Sequence, residues 1–217
     1  MKILLYKKIA SFLYPITIKK IVTKQHASLK LQLYCNQLML STPDAIYSYG
    51  TRYSPFRKTF ELLKADLQQV QQVLVLGTGL GSALKILQEK YGKYPEAILV
   101  DIDPDILTLS KEWMQLDSKK NVTWICDEAR NYIMNSQQPV DLICIDVFNG
   151  TFMPYYLKEV NFYIACRKNL RPKGICIFNI IPLNDQEAIL IEMMIHETFT
   201  HVERIQEARN LFYICSI

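Results

Sequence analysis

Val73-Leu-Val-Leu-Gly-Thr-Gly-Leu-Gly-Ser82, followed by Ile98-Leu-Val-Asp-Ile-Asp-Pro104, decides the fold of this chain. The four apolar residues Val73 to Leu76 have the composition of a strand buried on both faces of a parallel sheet. The glycines after them turn the backbone sharply into a helix expected from about Leu80 to Tyr91. Glycine has no Cβ, so backbone there can come close to a ligand. Asp101 ends a second apolar strand, twenty residues beyond Gly81. At that separation an acidic side chain meets the two hydroxyls of a ribose in a βαβ unit. The pattern predicts a nucleoside held by Gly77, Thr78, Gly79, Gly81 and Asp101.

The glycine spacing narrows the nucleoside. Dinucleotide-binding loops place a last glycine or alanine where this chain has Ser82, so a nicotinamide dehydrogenase is disfavoured. The shorter G-x-G-x-G loop, with Asp101 after the second strand and Asp127 after the third, suits a ligand without phosphates such as S-adenosylmethionine. A purely structural role stays open beside this one, with the glycines forming a tight turn and the two aspartates capping the next helices.

Strands and helices alternate from Val73 onward, which predicts a doubly wound, mostly parallel sheet. Helices are expected at Pro104 to Leu116, Asp127 to Asn135, Tyr155 to Asn169 and Asp185 to Phe199. Strands are expected at Ala97 to Asp101, Val122 to Cys126, Val140 to Asp146 and, after a turn at Arg171 to Gly174, Ile175 to Ile181. His201 to Ile205 and Leu211 to Cys215 close the chain as an antiparallel hairpin, giving the seven-stranded Rossmann-like architecture of class I methyltransferases. Ahead of it, Ile16 to Val22, Leu29 to Tyr34 and Gln37 to Leu40 alternate with period two, and Cys35-Asn36 can make the turn between the last two. This is a small antiparallel β-hairpin sheet over residues 16–42, preceded by a short amphipathic helix within Met1 to Leu13. The expected division is 1–55 for this N-terminal segment and 56–217 for the nucleoside-binding domain.

At 217 residues, 50% hydrophobic and 21% charged, the chain suits one large domain with an appendage. The net charge of +4 comes from its start, where Lys2, Lys7, Lys8, Lys19, Lys20 and Lys24 precede the first acid, Asp44. Without an accompanying arginine or aromatic pattern this reads as a solvated basic face, and no nucleic-acid partner is expected. No apolar run is long enough for a transmembrane span, and Lys7 and Lys8 interrupt the N-terminal one. The six cysteines are scattered through apolar runs, the usage of buried thiols in a reducing cytoplasm, and His26, His196 and His201 lack metal-ligand spacing, so no metal is expected. A free edge of the small sheet could pair across a homodimer axis.

Asp146 ends the fourth strand, where open α/β sheets place their ligands, and a carboxylate there can take a proton from an attacking amine or hydroxyl. Tyr47, Tyr49, Arg52, Tyr53, Phe148, Phe152, Tyr155 and Tyr156 could form an aromatic lid on an acceptor, although packing of the N-terminal sheet onto the main domain is the favoured role for at least half of them, with Tyr47 and Tyr49 as exceptions. Tyr47, Tyr49, Phe148 and Asn149 are the expected substrate contacts.

Over nearly its whole length the chain resembles the spermidine synthase-like branch of the class I methyltransferase superfamily. The resemblance is carried by the N-terminal β-hairpin, by Val100-Asp-Ile-Asp-Pro104, by Cys126-Asp-Glu-Ala-Arg-Asn-Tyr-Ile133, and by Tyr163, Leu170 and Gly174-Ile-Cys-Ile-Phe-Asn179. It implies that Asp101 holds the ribose and Asp127 the adenine amino group. It also implies Ile102 and Glu128-Ala129 beside the ring, with Gly77 to Gly81 at the amino acid end. Three features depart from the family, one being that Asp44-Ala-Ile-Tyr-Ser-Tyr-Gly-Thr-Arg-Tyr53 replaces the acidic segment the family carries before the first helix. Leu80 stands where the family's loop has an acid facing the aminopropyl donor, and Asp146-Val-Phe-Asn149-Gly replaces a loop with two carboxylates for the polyamine. Each amine of a desolvated polyamine needs an acidic partner, so the leading expectation is a methyltransferase acting on a small-molecule acceptor with S-adenosylmethionine. The alternatives are an aminopropyltransferase using decarboxylated S-adenosylmethionine, and a scaffold that binds a nucleoside without turnover. Acidic walls beside Asp146 would favour a polyamine, and apolar aromatic walls a neutral acceptor.

Overall fold

The computed structural model describes residues 3–113, 121–150 and 152–217. Seven strands form the main sheet: β5 (Gln72–Leu76), β6 (Glu96–Asp101), β7 (Val122–Cys126), β8 (Val140–Ile145), β9 (Leu170–Ile180), β10 (His201–Glu207) and β11 (Asn210–Ser216). Their order is β10-β11-β9-β8-β5-β6-β7, with β11 antiparallel to both of its neighbours and β9, β8, β5, β6 and β7 paired in parallel. The direction of winding reverses at β5, which pairs with β6 on one side and β8 on the other. The carboxyl ends of β5 and β8 therefore flank the crevice that such sheets use for ligands.

The strands at this switch point are apolar throughout because both faces are covered. Val73 to Leu76 and Leu142 to Ile145 are at most 1% exposed. Leu74, Leu76, Ile143 and Ile145 point into one core, with α5 (Ala129–Asn135), α6 (Val160–Lys168) and α7 (Asp185–Thr198). Val73, Val75, Leu142 and Cys144 point into the other, against Phe56 and Phe60 of α2 (Ser54–Leu62) and Leu84 and Leu87 of α3 (Ser82–Tyr91).

The N-terminal sheet has four antiparallel strands in sequential order, β1 (Ile16–Ile21), β2 (Leu29–Tyr34), β3 (Gln37–Ser41) and β4 (Ile46–Ser48). Cys35 and Asn36 both have positive φ, the conformation a two-residue hairpin turn demands. Leu29, Leu31 and Leu40 pack on Leu80, Ile106 and Leu109 of the main domain, so the small sheet sits over the switch point. The three-residue β4 carries the sheet to residue 48, beyond the expected limit of 42, and is too short to show periodicity. α1 (Leu5–Ala10) lies within the expected N-terminal helix but buries no residue, and Leu5 and Ile9 are 73% and 64% exposed. Ser11 ties it down, its hydroxyl and carbonyl accepting from the amides of Asn36 and Cys35.

Several expected boundaries move for local reasons. The main-domain helix α3 begins at Ser82 and not Leu80, because Gly79 and Gly81 both hold positive φ and keep the loop open for two more residues. The expected helix from Tyr155 to Asn169 divides into a 3-10 turn, Tyr155–Lys158, and α6, with an extended Glu159 between them. Glu159 pairs with Arg130 at 2.8 Å, and the Tyr163 hydroxyl donates to the Leu157 carbonyl at 2.6 Å. The expected turn at Arg171 to Gly174 is absorbed into β9, which starts at Leu170 and shifts register against β8, with Lys173 in the left-handed region. α5 starts at Ala129 because Asp127 turns back to accept from the Glu128 amide. α4 is described as Pro104–Trp113, and the expected stretch to Leu116 lies outside the described residues.

Gly77 is needed for space as well as conformation. With φ at 82°, a Cβ on it would lie 2.1 Å from the Asp146 carbonyl oxygen. Gly77→Ala is expected to destabilise the fold by about 3 kcal/mol or more, through backbone strain and displacement of the β8 end. Denaturant melts would show it, and a loss below about 1 kcal/mol would mean that the loop relaxes freely.

Candidate active site

The glycine loop hangs on the end of β6. The Gly77 and Thr78 amides donate to the Val100 carbonyl, at 3.0 and 3.2 Å, and the Gly79 amide donates to Asp101 Oδ2 at 3.0 Å. Asp101 Oδ1 accepts from the Asp103 amide, and Asp103 Oδ1 in turn accepts from the Asp105 amide at the start of α4. Ser82, the residue that breaks the dinucleotide pattern, shares a 2.6 Å hydrogen bond with Ser48 and accepts from the Tyr49 amide. That position serves the junction with the N-terminal sheet.

Above the loop a cavity of about 390 Å³ opens. Gly77, Gly79, Asp101, Ile102, Asp127, Glu128 and Ala129 line it, together with Tyr47, Asp146, Phe148 and Asn149. Two of the expected contacts do not reach it. Thr78 is 4% exposed with its hydroxyl donating to the Val100 carbonyl, and Gly81 lies at the entry of α3. Burial pushes the Asp101 carboxyl up to about 6, opposed by the amide hydrogen bonds from Asp103 and Gly79. A nucleoside fits this cradle: the loop crosses it on glycines, and one carboxylate faces it from the end of β6.

A second cavity, of about 380 Å³, shares Tyr47, Asp146 and Phe148 with the first. Asp146 stands where the two meet. The buried Tyr53 donates to its Oδ2 at 2.7 Å, and Asn179 at the end of β9 donates to its Oδ1 at 2.8 Å. Asn210 donates to Asn179 Oδ1 at 2.7 Å, so a continuous run of hydrogen bonds crosses from the N-terminal segment to the last hairpin. Burial raises the Asp146 pKa to about 6, the two hydrogen bonds pull it down, and the charge of Asp101 pushes it up again.

The aromatic residues divide. Tyr47 roofs the first cavity, its hydroxyl accepting from the Gly150 amide, and its ring meets His26 edge-on at 4.8 Å. Tyr49 lies only on the second cavity and stacks on Tyr34. Tyr53 and Tyr156 are buried, whereas Phe152 and Tyr155 are 66% and 74% exposed. The packing of the small sheet on the main domain rests mainly on Leu29, Leu31, Leu40, Leu80, Ile106 and Leu109, with Tyr47 packed against them, and Tyr53 and Tyr49 belong to the neighbouring core. Leu80, at the place where the resemblance expects an acid, is 7% exposed within that leucine cluster.

Gln25 and His26, which also line the first cavity, went unread in the sequence. They lie between β1 and β2 and reach the site only because the small sheet folds over it, which no local pattern encodes. Burial lowers the His26 pKa, against the opposing charge of Asp103. Asn179 had a readable signal, since it ends the strand next to the one ending in Asp146.

A family model described as spermine/spermidine synthase domain matches residues 61–213. Among curated proteins, the polyamine aminopropyltransferase of Vibrio vulnificus is 28% identical over 114 residues, half of this chain and 37% of that protein. That of Chromobacterium violaceum is 26% identical over 138 residues, 63% of this chain and 50% of that protein. The chain thus spans half or less of the length of these relatives. Among solved structures, a probable spermidine synthase from Corynebacterium glutamicum superposes with a TM-score of 0.77 at 21% identity, covering 94% of this chain and 81% of that one. These matches overturn the leading expectation of methyl transfer to a small molecule in favour of the aminopropyltransferase alternative. Both chemistries use the same nucleoside cradle, so the cradle motifs could not separate them, and the missing acids were given too much weight. The described helices include none long and apolar enough to cross a membrane. With a family model covering more than two thirds of its length, the chain belongs to the spermine/spermidine synthase family.

Proposed function

We propose that this chain is an aminopropyltransferase that takes decarboxylated S-adenosylmethionine as donor and a small amine as acceptor. One observation carries the reading beyond family membership: a carboxylate, Asp146, held from both sides at the seam between a nucleoside-sized cavity and a second one. Asp101 would hold the ribose hydroxyls and Asp127 the adenine amino group, with Ile102, Glu128 and Ala129 around the ring. Gly77 and Gly79 would admit the sulfur end. When bound, the donor supplies a propyl carbon activated by its sulfonium: the acceptor nitrogen bonds to that carbon, the C–S bond breaks with its electron pair returning to sulfur, and an N–H proton is released. Asp146 would receive that proton, while Tyr53 and Asn179 hold it in line. Tyr47, Phe148 and Asn149 would border the reacting centre.

Calorimetry with decarboxylated S-adenosylmethionine, followed by an assay for the thioether nucleoside product with amine acceptors, tests the proposal. Micromolar binding and product release are expected. Failure to bind either the donor or its nucleoside product would sink it.

A pH profile checks the role of Asp146. A proton acceptor must be ionised, so kcat at saturating donor, where the titration of Asp101 does not enter, is expected to rise with pH through about 6. The Tyr53 hydrogen bond stabilises the ionised form, so Tyr53→Phe should move the inflection to higher pH. An inflection unmoved by Tyr53→Phe would assign it to another group.

A further inference from the structure

We propose that the acceptor carries a carboxylate as well as its reacting amine, making it an amino acid with a second amine and not a bare diamine. The inference rests on the aminopropyltransferase reading and specifies its acceptor. The second cavity is walled by charges of both signs: Asp44 and Asp146 against Arg52 and Arg209. The rest of the lining is largely apolar and aromatic, including Ile46, Tyr47, Tyr49, Phe148 and Ile181, so the charged groups carry no excess of acid for a polyamine.

The arginines are placed by the same hydrogen bonds that hold Asp146. Tyr53, Asp146, Asn179 and Asn210 form one continuous run. Arg52 closes the 3-10 turn Gly50–Arg52 immediately before Tyr53, and Arg209 sits in the β10–β11 turn immediately before Asn210. A guanidinium is thus attached one residue from each end of the run, with the proton-accepting carboxylate inside it. Among the described residues neither arginine forms an ion pair, although nearby Lys58 pairs with Glu207 and Arg204 with Glu192.

Two guanidiniums and two carboxylates leave these walls without net negative charge. A diamine bound with one nitrogen at Asp146 would bring its second ammonium toward two arginines, a like-charge approach that selects against it. A carboxylate at that end removes the repulsion and gives the guanidinium forks a planar partner they can grip through two parallel hydrogen bonds. An α-ammonium beside that carboxylate would find Asp44 on the same wall. The amine at the other end of the acceptor is then the one that attacks, and its proton passes to Asp146.

Ornithine and putrescine differ by one carboxylate, as do lysine and cadaverine, so the two pairs isolate that group at two chain lengths. Their binding to the full chain, with and without methylthioadenosine, is measured by calorimetry, alongside turnover with the decarboxylated donor. The amino acid of at least one pair is expected to bind about tenfold tighter than its diamine, the low end for a charge-assisted contact. Arg52→Gln and Arg209→Gln should each bring the ratio toward one. A diamine that binds as well or better in both pairs, or a ratio untouched by both arginine variants, overturns the inference. Neither result bears on the transferase reading, which instead falls if the donor is neither bound nor consumed.

Discussion

Asp146→Asn is expected to lower kcat for aminopropyl transfer by roughly two to four orders of magnitude, the usual worth of a positioned general base. The substitution keeps the shape of the side chain and one acceptor oxygen for Tyr53 or Asn179, but removes the basic site between the two cavities. The loss should therefore fall mainly on kcat and leave KM for the donor within a few-fold, because the nucleoside end is held by other residues. The low-pH arm of the wild-type kcat profile, measured at saturating donor so that the titration of Asp101 does not enter, should vanish from the residual activity. A variant that retains kcat within a few-fold would show that the released proton goes directly to water and that Asp146 only shapes the loop.

Asp101→Ala should weaken the nucleoside by about two to four orders of magnitude, since two charge-assisted hydrogen bonds at about 1.5 to 3 kcal/mol each are removed together. Part of that loss passes through the protein. Asp101 Oδ2 accepts from the Gly79 amide and Oδ1 from the Asp103 amide, so the carboxylate holds the glycine loop and the start of α4 as well as facing the cavity. Asp101→Asn retains an acceptor oxygen and separates the two contributions, with a smaller loss expected. Acid should act in the same direction. The Asp101 pKa is raised to about 6, so lowering the pH through that value neutralises the group and affinity should fall below it. Calorimetric affinities for methylthioadenosine unchanged by Asp101→Ala would remove the ribose assignment.

The main sheet was legible because its signals are local. The apolar runs at Val73 to Leu76 and Leu142 to Ile145 are the doubly covered strands at the switch point, and the positive φ of Gly77, Gly79 and Gly81 follows from their residue type. The residues read for the first cavity sit at strand ends, where position in a βαβ unit determines direction. What stayed hidden depends on the small sheet folding over the large one. Gln25, His26 and the tie between Ser48 and Ser82 come together across more than thirty residues without a repeating pattern. The second cavity was harder still, because Arg52, Asn179 and Arg209 arrive from three separate parts of the chain. The expectation of methyl transfer rested on absent acids that the sequence makes visible, and the family match outweighs them.

Leu80 shows how firmly this chain is committed to its own version of the site. Its side chain belongs to the cluster with Leu29, Leu31 and Leu40 that seats the roof on the main domain. An acid there would place a charge among leucines and unseat the roof, so it would be tolerated only together with a redesigned β2 and β3. Arg52 and Arg209, by contrast, are exposed at the second cavity and can each change without disturbing a packed neighbour.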